Sequence, residues 1–304
     1  MLNIPAMRAL KETFPKAKVT AVIDHKTREL AESIPYIDAV IEWNAGKHSF
    51  KEKLKFTGVL RKIKFDAALI LNPSRDLNIV TFLAGIPLRA GYDRKWGFLL
   101  NRKTKDRKYL GEKHEVEYNL DLAALVGAKT RDTTLGLKID AHAFDIFNRL
   151  GIDISADFIT LHPWTSDQVK QWPLENFVEL SKRLAKELGK KVLVVGGKEE
   201  EERGLEKFSD LGNNISNITG KTSLMELAAV LKKSRLLISG DSGPVHLASA
   251  VGTPVLTIFR DDLPGKTAKR WGPWGKGHSV IEKKNLFEIT VDDVFDKAKE
   301  MLKR

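Results

Sequence analysis

The stretch Gly240-Asp241-Ser242-Gly243-Pro244-Val245-His246-Leu247-Ala248-Ser249-Ala250, followed by Gly252-Thr253-Pro254, decides how the rest of the chain is read. It lies between two runs of strand type, Arg235 to Ile238 and Val255 to Phe259, and Gly243 to Val251 carries a helical pattern. Strand, tight turn, helix and strand make one unit of a parallel sheet covered by helices. The helix opens just past a strand end, so its first N–H groups point out of the sheet edge, an arrangement suited to phosphate. Gly243 lets the backbone approach an anion closely, Asp241 or Ser242 can cap the helix, and His246 falls on the first turns. A well-capped turn with a locally satisfied histidine accounts for the same residues.

The same alternation extends outward in both directions. Ahead of the stretch, Phe158 to Leu161 and Lys191 to Val195 read as strands, with helices over Leu174 to Leu188, near Glu202 to Leu211 and over Leu224 to Lys233; beyond it a last helix runs from Val291 to Leu302. In the first half, strands are expected at Val19 to Ile23, Val40 to Trp43, Ala67 to Leu71 and Leu88 to Tyr92. Helices are expected around Lys26 to Ser33, Phe50 to Lys62, Leu77 to Ala84, Glu115 to Val126 and Ala141 to Leu150. The 304 residues suffice for two cores. The fold class expected is α/β, with two Rossmann-like, doubly wound parallel-sheet domains, 1–153 and 154–304, facing across a cleft where ligand binds. The last helix is placed so that it can pack back on the first domain.

Two further loops after strands carry polar groups. His162-Pro163-Trp164-Thr165-Ser166 is followed by Lys170-Gln171-Trp172-Pro173, where Lys170 offers a point charge to a diphosphate. Pro173 suits the first position of the next helix, so Trp172 reads equally as a core residue beside a helix start. Gly196-Gly197-Lys198 runs into Glu199, Glu200, Glu201 and Glu202, where a nucleotide can lie against the glycines and a carboxylate can accept from ribose hydroxyls. The dinucleotide fingerprint is incomplete for want of a third glycine, and an acidic first turn favoured by the helix dipole explains the glutamates as well. Gly220-Lys221-Thr222 mimics the end of a P-loop, but Ile215 stands where that motif needs glycine. Ser223 with Glu226 reads instead as a capping box.

Composition narrows the function. With 42% hydrophobic and 30% charged residues the chain is an ordinary globular one, and no apolar run approaches the roughly 18 residues of a membrane span. The absence of cysteine removes disulfides, thiolate catalysis and cysteine metal sites. Between Lys47 and Lys113, 17 Lys and Arg face 6 Asp and Glu, an excess that equals the whole chain's, 51 against 40. That stretch is either a solvated face or a surface for an anionic partner. Aromatic residues are sparse among its lysines and no nucleic-acid motif accompanies them, so nucleic acid is not an expected partner.

Taken together, Gly240 to Ala250 with Gly252-Thr253-Pro254, Lys170-Gln171-Trp172-Pro173 and Gly196-Gly197 with its glutamates resemble the ADP-heptose:lipopolysaccharide heptosyltransferase family. Pro5-Ala6-Met7-Arg8-Ala9-Leu10-Lys11 with Phe14-Pro15, and Ala84 to Gly91, extend the resemblance over almost the full chain. The resemblance implies a GT-B fold and inverting, metal-independent transfer of heptose from ADP-heptose to a lipopolysaccharide core acceptor, with no cofactor. It implies that Ser242, Gly243 and His246 hold the donor diphosphate, that Lys170 offsets its growing charge, that Glu199 or Glu200 takes the ribose, and that Asp241 orients the loop. Thr165, Ser166 and Gly197 are further donor-binding candidates.

The implied partners are an ADP-sugar and an anionic glycolipid acceptor. The protein is expected to be a cytoplasmic monomer that touches the cytoplasmic face of the inner membrane. The opening departs from the family's pattern, a strand leading into Gly-Asp-x-x-Leu-x-x-Pro-Ala. Aligning Leu2 and Pro5 to it places the aspartate base two residues ahead of Met1, so the catalytic base and the first strand of the N-terminal domain are both expected to be missing, with the reading frame extending upstream. Alternatives are a glycosyltransferase of the same fold using another nucleotide sugar, and a truncated, inactive nucleotide-binding paralogue.

Overall fold

A computed structural model describes residues 1–44, 46–154 and 156–303. The contacts divide them into two compact units, one of Leu2–Thr133 and the other essentially Thr134–Arg304. In the first unit the chain runs α1 (Ile4–Thr13), β1 (Thr20–Ile23), α2 (Arg28–Glu32), β2 (Ala39–Glu42), α3 (Phe50–Ile63), β3 (Ala67–Ile70), α4 (Arg75–Leu83), β4 (Leu88–Tyr92), β5 (Arg102–Thr104) and α5 (Glu115–Ala124). Its strands are all parallel and form two separate sheets, β1-β2 and β3-β4-β5. Helix α3 starts where Ser49 accepts from the Glu52 N–H and the Glu52 carboxylate accepts back, the reciprocal cap that satisfies two orphan amides.

The second unit continues with α6 (Asp145–Arg149), β6 (Phe158–His162), α7 (Leu174–Glu187), β7 (Lys191–Val194), α8 (Glu201–Phe208), β8 (Ile215–Asn217), α9 (Leu224–Lys233), β9 (Leu236–Gly240), α10 (Gly243–Val251), β10 (Val255–Arg260), α11 (Ala268–Trp271), β11 (Ser279–Lys283) and α12 (Val291–Leu302). Six parallel strands lie in the order β11-β10-β9-β6-β7-β8. From β6 the chain winds outward through β7 and β8, then returns to lay β9 against the other side of β6. The strand order therefore reverses between β6 and β9, the switch point at which such sheets bind ligands at their carboxyl ends. Every residue of β6 and β9 is buried, as expected of central strands covered on both faces.

The expected elements are present within a few residues, and the capping box of Ser223 and Glu226 opens α9 as read. Strands β5, β8 and β11 escaped sequence reading because they are short or half-exposed edge segments with weak patterns.

Three expectations need correction. The units divide at Thr133–Thr134 rather than at 153/154, because α6 buries Ile146 and Phe147 in the second unit and Arg149 bridges to Glu226 (2.7 Å) at the start of α9. Helix α12 packs on its own unit: Val294, Phe295 and Ala298 join the core that Leu180 and Leu184 of α7 share with the sheet. Pro173 precedes α7 as its extended cap residue and is not the first helical residue.

Candidate functional site

The site is assembled from the loops that leave β6, β9 and β10 at their carboxyl ends. After β6 the chain is folded tightly by its own polar groups: Thr165 Oγ1 donates to the Asp167 carbonyl (2.9 Å), and the Gln171 amide donates to the carbonyls of Pro163 and Trp172 (both 2.7 Å). The two tryptophans of this loop are structural. Trp172 is fully buried and donates to the Ile289 carbonyl (2.8 Å), while Trp164 donates to Val195 (3.0 Å).

This fold of the loop carries Lys170 to Asp241, with which it forms an ion pair. Burial pushes the Asp241 carboxyl above its ordinary range, against the opposing pull of the lysine. Gly240 allows the approach: a Cβ there would stand 3.2 Å from the methyl of Thr165. Ser166 is exposed on the same loop.

Ser242 occupies the cap position of α10, yet its side chain makes no capping hydrogen bond, which corrects the expectation that it caps the helix. Its hydroxyl turns inward to Ser239 Oγ (2.8 Å) and His162 Nδ1 (3.2 Å). Gly243 follows, exposed and with open space where a Cβ would be. The helix ends at Gly252, whose φ of 82° is the left-handed turn that glycine favours. His246 lies on the first turn, its ring 6.4 Å from that of Trp271 on α11. The segment after β10 is tied back to the β6 loop through Arg260, which donates to the Val169 carbonyl (3.2 Å), and Lys266, 3.7 Å from Asp167. Lys170, Asp241, Thr165, Ser242, Gly243 and His246 are thus brought to one place.

Gly197, Glu199 and Glu200 stand after β7, the neighbour of β6 on the far side from β9. A Cβ on Gly196 would meet the Trp164 ring at 2.4 Å and Thr219 at 2.7 Å, so this glycine answers to packing; at Gly197 only the end of the Glu200 side chain is near. Glu199 is exposed and Glu200 half-buried, in a short 3-10 turn leading into α8.

The sequence marks neither His162 nor Ser239 as a candidate site residue. Ser239 falls just past the strand read at Arg235 to Ile238, with no pattern to mark it, and the structure extends that strand to Gly240. Only the pairing of β6 with β9, which sets His162 opposite Ser239, makes the two a unit with Ser242.

The model of glycosyltransferase family 9 (heptosyltransferase) matches residues 53–294. The lipopolysaccharide core heptosyltransferase OpsX of Haemophilus influenzae is 25% identical over 273 residues, covering 87% of this chain and 76% of that protein. Among solved structures, the ADP-heptose lipopolysaccharide heptosyltransferase II of Escherichia coli superposes with a TM-score of 0.84 at 21% identity, over 99% of this chain and 94% of that one. The E. coli heptosyltransferase WaaC, solved with ADP, gives 0.78 at 23% identity, over 99% and 95%.

Proposed function

The chain belongs to glycosyltransferase family 9, the heptosyltransferases, and from that membership we propose that it transfers heptose from ADP-heptose to a lipopolysaccharide core acceptor, with inversion and without an obligatory metal. The observation that carries the donor half is the meeting, at the switch point of the six-stranded sheet, of Lys170 with a helix start that the side chain of Ser242 leaves uncapped. Backbone amides and an ammonium group aimed at one place favour the charge that grows on a departing diphosphate. Ser242, Gly243 and His246 hold the diphosphate. Lys170 leaves Asp241 to offset its charge, and Asp241 keeps the loop in register until then.

From β9 across β6 to β7 is two strand spacings, about 10 Å, a span that suits a nucleotide whose ribose end meets Gly197, Glu199 and Glu200. Thr165 and Ser166 line the path between. The donor role falls to the second unit and the acceptor role to the first, whose basic stretch, Lys47 to Lys113, suits an anionic glycolipid at the cytoplasmic face of the inner membrane. Among the described residues no helix is long and apolar enough to cross a membrane.

Calorimetric titration with ADP tests the donor site, and no heat of binding sinks it. A panel of ADP- and UDP-linked sugars, scored by the rise in melting temperature and by nucleotide release with core acceptor, tests the sugar. Preference for a donor other than ADP-heptose would assign the chain to another transfer within the same fold.

A further inference from the structure

His162 and Ser239 pair across β6 and β9, and with Ser242 they close a cluster of three polar side chains in which Ser239 is wholly buried. Counting hydrogens fixes its direction. The single hydroxyl proton of Ser239 goes to the His162 carbonyl (2.9 Å), because a carbonyl only accepts. Ser239 is therefore an acceptor in its other contacts. The 2.8 Å approach of Ser242 then requires Ser242 to donate, which uses its own proton. Nδ1 of His162 lies 3.1 Å from Ser239 Oγ and 3.2 Å from Ser242 Oγ, two oxygens with no proton left to give it. Nδ1 must carry the proton itself. Burial holds the ring neutral, so it is the Nδ1–H imidazole that faces the serines.

We propose that His162 is a positioning residue for donor binding: its Nδ1–H, with Ser239, holds the Ser242 side chain off the capping position, leaving the start of α10 open to a diphosphate. The inference rests on the reading of that helix start as the donor site. When the anion arrives, Ser242 turns its proton from Ser239 to a phosphate oxygen, while Nδ1–H continues to donate to Oγ. A hydroxyl that accepts on one side donates more strongly on the other. Without the imidazole, the serine is free to swing out and cap the helix, competing with the ligand for the same amides.

The test is ADP titration of the full chain and three variants. His162→Leu removes the donor at similar size and should weaken ADP binding about tenfold, whereas His162→Asn, whose amide puts an N–H in place of Nδ1, should stay within about threefold. In a Ser242→Ala background, His162→Leu should change affinity by less than about twofold, since the effect runs through that hydroxyl.

Equal binding by wild type, His162→Leu and His162→Asn overturns the proposal, and so does a loss that persists undiminished in the Ser242→Ala background. Should His162→Leu fail to fold, Ser239→Ala takes its place: it removes the acceptor of the serine proton and must weaken ADP binding. Unchanged affinity in Ser239→Ala overturns the proposal. Nitrogen-15 NMR of His162 gives a readout independent of ADP, with protonated Nδ1 expected at neutral pH and the opposite tautomer contradicting the scheme. If the wild type itself binds no ADP, the site reading falls and this inference with it; if the wild type binds and the variants match it, only the positioning role falls.

Discussion

Lys170 and Asp241, 71 residues apart in the chain, meet as an ion pair at the carboxyl ends of β6 and β9, with their side chains 23% and 12% exposed. The pair serves stability in the resting site and must open for an anion to use the lysine. Those two demands can be separated. Lys170→Met leaves a mostly buried carboxylate without its cation, and should lower stability by about 1 to 3 kcal/mol at neutral pH. Pairing it with Asp241→Asn should restore much of the melting temperature but not the affinity for ADP, which the lysine supports directly. Recovery of both in the double variant would remove Lys170 from the donor site.

The pH dependence of stability has a defined sign. Burial lowers the His162 pKa from 6.5 to about 4. Between those values the unfolded chain binds a proton that the folded chain refuses, so the stabilisation is complete above about 6.5 and is lost as pH falls towards 4. It changes by about 1.4 kcal/mol per pH unit across that window. Burial lowers His278 in the same direction. Asp241 works oppositely, because its raised pKa gives stability that is lost as pH rises above the ordinary carboxylate value. Denaturant titrations from pH 4 to 7 should show stability falling with acidity, less steeply in His162→Asn. An unchanged slope in that variant would mean that His162 is not the group that titrates.

The glycines around the site separate packing from binding. Gly196→Ala drives a methyl into the Trp164 ring and Thr219, and should cost about 1 to 3 kcal/mol of stability. Gly243→Ala meets open space and should leave the melting temperature within a few degrees. Its methyl lies where the anion approaches, however, so ADP affinity should fall about tenfold. Equal ADP affinity in Gly243→Ala and wild type would move the diphosphate elsewhere.

The boundary between the units is open to truncation. A fragment beginning at Thr134 retains Ile146 and Phe147, which are buried, and the Arg149–Glu226 bridge; one beginning at 154 loses them all. Burying two such side chains is worth roughly 3 to 6 kcal/mol. The longer fragment should therefore unfold cooperatively and at higher temperature. Identical melting of the two would return the boundary to 153/154.

Some of the protein was legible because its signals are local. Ser223 with Glu226 caps α9 through atoms three residues apart, and Gly240 to Gly252 spells strand end, turn, helix and left-handed stop in sequence. Lys170 and Asp241 could each be nominated from a loop that follows a strand. Their ion pair could not, since the constraint that joins them is the packing of two loops. That Ser242 leaves the helix uncapped was hidden for the same reason: an extended serine before a helix ordinarily caps it, and of the two groups that turn it away only Ser239 is near in the chain, while His162 lies on another strand.

The amino-acid sequence alone determined the class of the fold, the position of most elements and the chemistry offered at each loop, because periodicity, caps and turns act over a few residues. Only the tertiary structure decided that β9 lies beside β6 and not beside β8, which it follows in the chain. That order sets His162 against Ser239 and Lys170 against Asp241. Backbone hydrogen bonds between parallel strands are nearly indifferent to side-chain identity, so the neighbour a strand takes is chosen by how whole helices and sheet faces bury together.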